Sequence, residues 1–297
     1  MVVSAYASDK GWLFNDLLLR FDAAGCESSF NPNPDADAYI VLRSSEAHLC
    51  PKLHKAVVQV HCLEQRWMGA PEVLNKAGAF CFTHPDQPGI LQRMGVDVKK
   101  PHISRPIGSA MSFTLRGSMP DVFTVGWVGR ATGMKGEQLF IDAMKRVADC
   151  LPVRVLLAGA QLEAMSDALE DLGIEVDLRL RQSHEQFNAD MYRAAYHDMD
   201  VLAITSETEA GPLPLFEAMA CGVPVVSTDV GWSSRMLDDP FGLVVPSNAA
   251  AVQVALNSYG MFRDHYFDMR QMIRDRQPWR LEEWITENVE LAERMAG

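Results

Sequence analysis

The sequence lacks the features that mark membrane, secreted and repeat proteins. No uninterrupted apolar run is long enough to cross a bilayer. The first residues lead into polar Ser8-Asp9-Lys10 and do not resemble a secretory signal peptide. Internal repeats and low-complexity stretches are also absent. We therefore expect a globular protein of the cytoplasm, or of the host cytoplasm if a virus encodes it.

Cysteines with metal-binding or disulfide spacing are missing as well. The six cysteines include no C-x-x-C pair and lie mostly in apolar surroundings, which is typical of buried thiols in a reducing compartment. His48, Cys50 and His54 lie close together, but Pro51 interrupts them and no second cluster follows. We interpret these residues as a chance grouping and not as a metal site.

The chain has no surplus of positive charge. It carries 27 lysines and arginines against 39 aspartates and glutamates, and residues 1–117 hold only 11 of the acidic residues against 12 basic ones. A strongly acidic protein is a poor general binder of nucleic acids or anionic membranes. Lys99, Lys100, His102 and Arg105 form a local basic strip. We interpret this strip as part of a solvated linker; the alternative is a basic surface for an acceptor.

A dinucleotide-binding fingerprint is also absent. No G-x-G-x-x-G follows the first predicted strand, residues 2–6, which argues against a nicotinamide-dependent oxidoreductase. The sequence instead alternates strand patterns with helix patterns. Apolar runs at 38–42 and 56–60 predict further strands, and apolar residues at helical spacing over 12–21 predict a helix. This alternation is typical of an α/β fold.

The predicted fold class is α/β with two Rossmann-like domains. A chain of 297 residues, 48% of them hydrophobic, is long and apolar enough for two cores. We place the first domain at residues 1–117, the second at 118–262 and C-terminal helices at 263–297. Within this last segment, the periodicity predicts helices over 266–273 and 281–295.

One stretch in the second domain carries two carboxylates eight residues apart, Glu209 and Glu217. Between them, Gly211 allows a ligand to approach the backbone, and Pro212 and Pro214 suit the first turn of a helix. Free N–H groups and the dipole at a helix start favour a phosphate. The pattern therefore predicts a site for a polyhydroxylated, phosphate-bearing ligand.

A second segment supplies cations for the same kind of ligand. An apolar strand over 123–130 ends in Gly129-Arg130, and Lys135-Gly136 follows before a helical pattern. Ligands bind at the carboxyl ends of strands in α/β sheets. Arg130 can bind a phosphate through two parallel hydrogen bonds, and Lys135 can add a point charge.

With these segments the chain resembles the retaining, GT-B fold glycosyltransferases of family GT4. The resemblance covers about half of the chain, and its motifs occur in the order typical of the family. They are Gly129-Arg130 with Lys135-Gly136, the strands 153–160 and 200–206, the pair Glu209 and Glu217, Gly231, and Phe241-Gly-Leu-Val-Val-Pro246.

The resemblance implies a GT-B architecture, with two Rossmann-like domains facing across a cleft and the C-terminal helices returning to the first domain. It implies a nucleotide-sugar donor, and UDP is the first guess for the nucleotide. It also implies roles for individual residues: Arg130 and Lys135 on the diphosphate, Glu217 on the ribose hydroxyls, Glu209 against the donor sugar, and Gly129 and the backbone of Gly211, Pro212 and Leu213 along the sugar-phosphate site.

The first domain departs from the pattern of the family. It is shorter than usual, and Asp9-Lys10-Gly11-Trp12 replaces the glycine pair that commonly follows the first strand. Gly11 still allows close approach of the backbone to the donor. His61, at the end of a predicted strand, occupies the place of a family histidine near the donor sugar, so we predict a catalytic role. The alternative is a hydrogen-bonded histidine at a strand end, and His84 is a weaker candidate.

Similarity to the family also implies the mechanism. The acceptor enters from the face that the diphosphate leaves, Arg130 and Lys135 stabilise the leaving group, and Glu209 orients the sugar. Asp35-Ala-Asp37 resembles the D-x-D metal clamp of the other glycosyltransferase fold, but it follows Asn31-Pro-Asn-Pro34 and precedes a strand. The D-x-D segment is therefore predicted to form a turn, and we predict no catalytic metal and no cofactor.

The acceptor is not identified by the sequence. A glycan, a lipid-linked sugar or a small metabolite is the default, and the compact first domain also permits a hydroxymethylated base of DNA, flipped out of the helix as virus-type enzymes require. The same fold would also suit a non-catalytic nucleotide-sugar-binding protein, and a similar fold would suit a nucleotide-sugar isomerase. We expect a monomer or a homodimer.

Overall fold

The structure, a computed structural model, describes residues 1–8, 12–181 and 189–297. Within these ranges the chain forms two compact units. The first unit holds residues 1–107 and 279–297, and the second holds the described residues between them. No helix in the described part of the chain is long and apolar enough to span a membrane.

The first unit is built on a parallel sheet. In the part of the chain that the structure describes, six strands lie in the order β2-β1-β3-β4-β5-β6. The strands are β1 (Val3–Tyr6), β2 (Glu27–Ser29), β3 (Ala38–Val41), β4 (Ala56–Val60), β5 (Ala79–Phe82) and β6 (His102–Ser104). β1, β3, β4 and β5 are buried along their whole length, which explains why they appear in the sequence as continuous apolar runs.

Helices cover this sheet. The described ones are α1 (Trp12–Ala23), α2 (Pro71–Leu74), α3 (Gln87–Arg93) and α12 (Leu281–Ala296), with short 3₁₀ helices at Ser44–Leu49, Leu53–Lys55 and Gln65–Trp67. The core between them contains Tyr39, Val58 and Phe80, which are fully buried. These bounds agree with the predicted elements at 2–6, 12–21, 38–42 and 56–60.

The second unit holds a second parallel sheet. Its six described strands lie in the order β12-β11-β10-β7-β8-β9. They are β7 (Thr124–Arg130), β8 (Arg154–Ala160), β9 (Glu175–Leu180), β10 (Val201–Ile204), β11 (Val225–Thr228) and β12 (Gly242–Val245). β8 and β9 lie on one side of β7, and β10, β11 and β12 lie on the other.

The described helices of this unit surround the sheet. They are α4 (Glu137–Ala148), α5 (Glu163–Glu170), α6 (Ala189–His197), α7 (Leu213–Ala220), α8 (Ser233–Met236), α9 (Ala249–Met261), α10 (Arg263–Asp268) and α11 (Arg270–Asp275). Phe140 and Met144 of α4 and Leu256 of α9 are fully buried in one core with strand residues such as Val125. The 3.6-residue spacing of these apolar positions explains why the helices are recognisable in the sequence.

The first unit ends at Ile107, before the predicted boundary at residue 117. The intervening segment is anchored to the second unit through Arg116, which is buried. Its N–H donates to the carbonyl oxygen of Cys221 at 3.0 Å, and its Nη1 donates to that of Met199 at 2.5 Å. The predicted boundary was therefore too late, because a long polar segment resembles a linker even where its backbone is paired.

The predicted assignment of residues 263–297 to the first domain is also wrong in part. α10 and α11 belong to the second unit, where Arg263 forms a 3.0 Å ion pair with Asp200. They are two short helices and not the single helix predicted over 266–273. Only residues 279–297 join the first unit.

α12 packs against the first sheet through the apolar stripe of the sequence. Trp284 and Ile285 are buried on this face. Arg105, assigned to the basic strip, forms a 2.7 Å ion pair with Glu287 of α12, and Nζ of Lys100 donates to the carbonyl oxygen of Asn75 at 2.6 Å. The strip is therefore not a solvated linker, because its charges hold elements of the first unit together.

Candidate functional site

The candidate site of the second unit lies where the strand order of its parallel sheet reverses. β7 has β8 on one side and β10 on the other, although β10 follows β9 in the chain. In open α/β sheets, ligands bind in the crevice that such a reversal leaves between neighbouring loops at the carboxyl edge. The loops after β7 and β10 therefore define the site, and they carry Arg130, Lys135 and Glu209.

Gly129 and Arg130 are the last residues of β7. They lie in register with Gly159 and Ala160 of β8. Gly159 has a φ of +148°, and a Cβ atom there would overlap the carbonyl oxygen of Gly129. Glycine at this position lets the two strands stay paired as far as Arg130. The side chain of Arg130 has a buried Nε that meets no hydrogen-bond acceptor among the described residues, so it presents an unsatisfied donor at the edge of the sheet.

An ion pair joins the two loops. Lys135, after β7, contacts Oε1 of Glu209, after β10. The same oxygen accepts a 3.0 Å hydrogen bond from the hydroxyl of Ser206. The Glu209 side chain is 15% exposed and that of Lys135 is 33% exposed, so both can meet a ligand. The structure thus brings together the residues predicted for the diphosphate and for the donor sugar.

Gly136 explains how the Lys135 loop comes so close to its neighbour. Its φ is +70°, and a Cβ atom would overlap the carbonyl oxygen of Thr205. The hydroxyl of Thr205 in turn donates to the carbonyl oxygen of Lys135 at 3.0 Å. The N–H of Glu207 donates to the carbonyl oxygen of Met134 at 2.9 Å. Another residue type at 136 would push the loops apart and displace Lys135.

Glu217 lies on α7 with its carboxylate buried among aromatic side chains. The residue is 7% exposed, and the hydroxyl of Tyr196 on α6 donates a 2.8 Å hydrogen bond to its Oε2. Tyr196 is completely buried, and burial together with the Glu217 charge raises its pKa well above the ordinary value. A neutral tyrosine is therefore a permanent donor to this carboxylate.

Tyr192, one turn before Tyr196, lies within the electrostatic influence of both Glu217 and Arg130, the last residue of β7. Burial, and after it the charge of Glu217, raises the pKa of Tyr192 to about 12, whereas Arg181 and Arg130 act in the opposite direction. Arg130 and Glu217 therefore act electrostatically on one side chain. Sequence reasoning missed both tyrosines, because aromatic residues four apart on a helix are also the pattern of an ordinary buried face.

The start of α7 differs in one respect from its prediction. Pro212 is the N-cap residue, with φ −65° and ψ 109°, and not part of the first turn. Gly231, at φ +55°, packs so closely that a Cβ atom would lie 2.9 Å from Cδ of Pro212, which favours this extended entry. Neither Pro212 nor Pro214 has an N–H, so the backbone donors that the sequence offers here belong to Gly211 and Leu213.

The first unit has its own candidate site, which we call the first-domain pocket. The strand order of its sheet reverses between β1 and β3. In α/β sheets with this strand order, ligands bind at the point of reversal. A cavity of about 330 Å³ opens at this edge. Its lining consists of Phe14, Arg43, Ser44, Ser45, His61, Cys62 and Trp67. Gly11, predicted to contact the donor, lies outside the described residues.

His61 lines this pocket, but its ring is bound to the protein. Nε2 lies 3.0 Å from Oε1 of Gln59, and the ring also makes a hydrogen bond with the backbone of Leu42. Burial, and to a smaller extent the charge of Arg43, lowers the pKa of His61 to about 4, although the hydrogen bond with the backbone of Leu42 acts in the opposite direction. The imidazole is therefore neutral near pH 7. The geometry fits the alternative, a histidine held at a strand end, better than a proton-transferring group.

A chain of amides fixes the orientation of this ring. Nδ2 of Asn288 donates to the carbonyl oxygen of Trp284 at 2.8 Å, so the Oδ1 of Asn288 is the atom that accepts from Nε2 of Gln59, at 3.3 Å. This places Oε1 of Gln59 against Nε2 of His61, an arrangement that favours a proton on that nitrogen. Asn288 of α12 thus acts on the orientation of the His61 ring through Gln59.

His84 and the D-x-D segment, both considered in the sequence, make hydrogen bonds within turns and loops. Nδ1 of His84, the weaker histidine candidate, accepts a 3.2 Å hydrogen bond from the N–H of Asp86. The N–H of Asp35 donates to Oδ1 of Asn33 at 2.9 Å, and Asp37 accepts from the N–H of Val2 at 2.9 Å. The D-x-D segment is therefore a turn, as predicted. Across the described ranges, no three His, Cys, Asp or Glu side chains meet in a way that could hold a metal ion.

Comparison with known proteins agrees with this placement of residues. The sequence profile of the family "Glycosyl transferases group 1" matches residues 122–258, which contain Arg130, Lys135, Glu209 and Glu217. This part of the chain is therefore similar to the group 1 glycosyl transferases. The similarity supports a glycosyltransferase of the GT4 type, as the sequence predicted, and it lies in the domain that carries the candidate site.

Curated glycosyltransferases match part of the chain. A D-inositol 3-phosphate glycosyltransferase of Paenarthrobacter aurescens is 34% identical over 152 residues, which make up 49% of this chain and 36% of the relative. The corresponding protein of Mycobacteroides abscessus is 34% identical over 142 residues, 44% of this chain and 30% of the relative. The aligned part thus spans about a third of each relative.

Solved structures extend the similarity in fold to the whole length of the chain. A sucrose-phosphate synthase from Thermosynechococcus elongatus matches with a TM-score of 0.77 at 16% identity, over 99% of both chains. HepE from Anabaena, in complex with UDP, matches with a TM-score of 0.73 at 15% identity, over 100% of both chains. At this identity the likeness establishes the fold alone, and it confirms the predicted GT-B fold.

Proposed function

We propose that the protein is a retaining glycosyltransferase that transfers a sugar from a nucleotide-sugar donor to a hydroxyl group of an acceptor. One observation carries the proposal. Lys135 pairs with Glu209 at the point where the strand order of the second sheet reverses, and the charges of Arg130 and Glu217 both act on Tyr192. Cations suit a diphosphate, and carboxylates suit the hydroxyls of ribose and sugar.

The role of Glu217 in this proposal is to accept hydrogen bonds from the ribose hydroxyls. The carboxylate is nearly buried, and Tyr196 holds one of its oxygens at 2.8 Å. A hydrogen bond to a fixed, poorly solvated carboxylate is stronger than one to a mobile carboxylate in water. The buried position therefore favours binding of the nucleoside part and not a role in proton transfer to the sugar.

Arg130 and Lys135 would stabilise the leaving diphosphate. Cleavage of the bond between the anomeric carbon and the phosphate oxygen leaves the electron pair on that oxygen, and cations close to it lower the energy of the transition state. Nε of Arg130 has no hydrogen-bond acceptor among the described residues, which supports a role of this side chain in binding an anion. The acceptor oxygen forms the new bond to the anomeric carbon, and its proton passes to the diphosphate.

Lys135 and Glu209 would have to change partners when the donor binds. In the structure, Lys135 is paired with Glu209. A diphosphate next to Lys135 competes with the carboxylate for the ammonium group, which leaves Glu209, still held by Ser206, to accept from a hydroxyl of the sugar. The ion pair thus keeps both side chains at the site before the donor arrives.

UDP is the nucleotide that we propose, and the solved structures support it. HepE was crystallised with UDP, and the pneumococcal O-GlcNAc transferase GtfA, which matches with a TM-score of 0.67 at 16% identity, was crystallised with UDP and GlcNAc. We do not transfer the acceptor of the curated relatives to this chain, because the alignments cover only 36% and 30% of those relatives.

The test is a donor screen with the purified protein. We expect slow hydrolysis of one class among UDP-, GDP- and ADP-sugars, and calorimetric binding of the matching nucleotide diphosphate. Binding without any hydrolysis would favour a non-catalytic nucleotide-sugar-binding protein. Failure to bind any of the nucleotides would contradict the proposal itself.

Retention of configuration needs its own measurement. Once an acceptor is found, the coupling constant of the anomeric proton in the product, measured by NMR before mutarotation, distinguishes the two anomers. The proposal predicts the same anomeric configuration as in the donor. An inverted product would remove the same-face mechanism and would require a general base close to the acceptor.

A further inference from the structure

The first-domain pocket has one formal charge on its lining near neutral pH. Among its seven described lining residues, Arg43, His61 and Cys62 can change protonation. Burial lowers the pKa of His61 to about 4 and raises that of Cys62 to about 11, so both are neutral at pH 7. The guanidinium of Arg43 is the charge that remains, and its field acts on both neighbours.

The carboxylate of Glu46 holds the side chain of Arg43 in place at the pocket. Its Nη1 forms a 3.1 Å ion pair with Oε1 of Glu46, and the side chain is 32% exposed. Glu46 is buried and also accepts hydrogen bonds of 2.8 Å from both the N–H and the hydroxyl of Ser8. The guanidinium lies 5.6 Å from the ring centre of Phe14. These contacts restrict Arg43 and reduce the entropy lost when it binds an anion.

The other walls suit a ring with hydroxyl groups. Phe14 and Trp67 provide aromatic surface, and Trp67 is 54% exposed although it is a large apolar side chain. Ser44 and Ser45 add hydroxyls next to Arg43. Aromatic walls with a few convergent polar groups are typical of small-molecule sites, and about 330 Å³ lies at the lower end of the volumes such sites have.

We propose that the first-domain pocket binds the acceptor and selects a sugar ring that carries one anionic group, a phosphate or a carboxylate. Arg43 binds the anion, Trp67 and Phe14 pack against the ring, and Ser44 and Ser45 contact its hydroxyls. The assignment of this ligand as the acceptor rests on the proposed glycosyltransferase function. The preference for an anion does not depend on that function, because we infer it from the positive charge of Arg43 on the pocket lining.

The experiment compares acceptors with the full-length protein and the donor that the hydrolysis screen identifies. Hexose 6-phosphates and hexuronates are tested against the neutral hexoses of the same configuration, and kcat/KM is measured for each. We expect the anionic acceptors to exceed the neutral ones by at least about tenfold, the worth of one charge-assisted contact. The 6-phosphate and uronate series distinguish a phosphate from a carboxylate.

Single substitutions show which residues cause the preference for anionic acceptors. Arg43→Gln should remove most of it, Arg43→Lys should keep part of it, and Trp67→Leu should weaken anionic and neutral acceptors alike. Arg93→Gln, an exposed arginine of the same unit, is the matched control and should leave the preference unchanged. Thermal unfolding and UDP titration verify that each variant is folded. Inorganic phosphate should inhibit transfer to the anionic acceptor competitively, which tests the site without any substitution.

Several outcomes would overturn the inference. These are equal use of anionic and neutral sugars by the wild type, an unchanged preference in folded Arg43→Gln, or an equal loss in Arg93→Gln. Failure of the proposed function appears separately, as a wild-type protein that hydrolyses no nucleotide sugar and binds no nucleotide. If Arg43→Gln does not fold, the wild-type preference and competition by phosphate decide the question.

Discussion

The hydroxyl of Tyr196 donates a 2.8 Å hydrogen bond to Oε2 of Glu217, and both side chains are buried. A buried carboxylate is costly unless donors satisfy it. Tyr196 meets part of this need, and because it comes from another helix, it also fixes the direction in which the carboxylate points. The capacity of Glu217 to bind ribose should therefore depend on a tyrosine that never touches the donor.

We predict that Tyr196→Phe weakens UDP binding about tenfold, since a hydrogen bond to a charged group contributes about 1.5–3 kcal/mol. Calorimetric titration gives the affinity. Tyr259→Phe is the matched control, because that buried hydroxyl has no hydrogen-bond partner among the described residues. The effect of Tyr196→Phe should be absent in a Glu217→Ala background, whereas additive losses would show that Tyr196 acts independently of Glu217.

Glu217→Ala should itself lower the affinity for UDP by about 10- to 100-fold, because the ribose hydroxyls lose a charged acceptor worth about 1.5–3 kcal/mol. The loss should be much smaller for 2′,3′-dideoxy-UDP, which has no hydroxyls to donate. Glu163→Ala, an exposed glutamate of the same unit, serves as the control. An equal loss for both nucleotides would remove Glu217 from the ribose site.

Replacement of Arg130 or Lys135 with Ala should reduce turnover far more than binding of the nucleoside monophosphate. Negative charge accumulates on the diphosphate as the sugar leaves, so these cations act mainly in the transition state. We expect a loss of about 100-fold in kcat, the magnitude typical for removal of one such group. Arg146→Ala, at an exposed position, should change neither quantity. Comparable losses in turnover and UMP affinity would make the two residues ground-state anchors.

Activity should survive a chelator. Arg130, Lys135 and the start of α7 already supply positive charge at the proposed diphosphate site, and a metal-dependent transferase needs carboxylates to hold its ion there. Initial rates with excess EDTA should equal those without it at the same ionic strength. Activity that disappears with EDTA and returns with magnesium or manganese would contradict this prediction and direct attention to Asp35 and Asp37.

His61 should titrate with a pKa near 4, because burial opposes its charged form. In the unfolded chain a histidine has its ordinary pKa of 6.5, so the unfolded state binds more protons between these values. The contribution of His61 to stability is therefore fully present above pH 6.5 and falls as the pH drops towards 4. NMR of the ring gives the pKa, and unfolding curves of wild type and His61→Gln give the stability. A midpoint near 6.5 would show that the ring is solvated.

Residues with a short-range reason for their identity were predictable from the sequence. Apolar runs such as 56–60 predict buried parallel strands because both faces of those strands meet helices. Glu209, Glu217, Arg130 and Lys135 follow motifs with fixed spacing. Their proximity was thus predictable, although their contacts were not.

Residues whose role depends on a distant part of the chain were not predictable. Arg105 looks like a linker charge, but it pairs with Glu287, and Arg116 looks like the end of a linker, but it donates to the carbonyl oxygen of Met199. In both cases a polar residue in a polar segment gives no local sign of its partner. The domain boundaries were misplaced for the same reason.

By itself, the sequence determined the α/β class, the resemblance to a family and the residues of the two motifs, because strand periodicity and motif spacing are properties of short segments. Only the tertiary structure decided the partners: Tyr196 for Glu217, Glu209 for Lys135, and the amides that orient His61. Hydrogen bonds and charges act over a few ångströms between residues far apart in the chain. Their pairing therefore exists only once the sheets have folded.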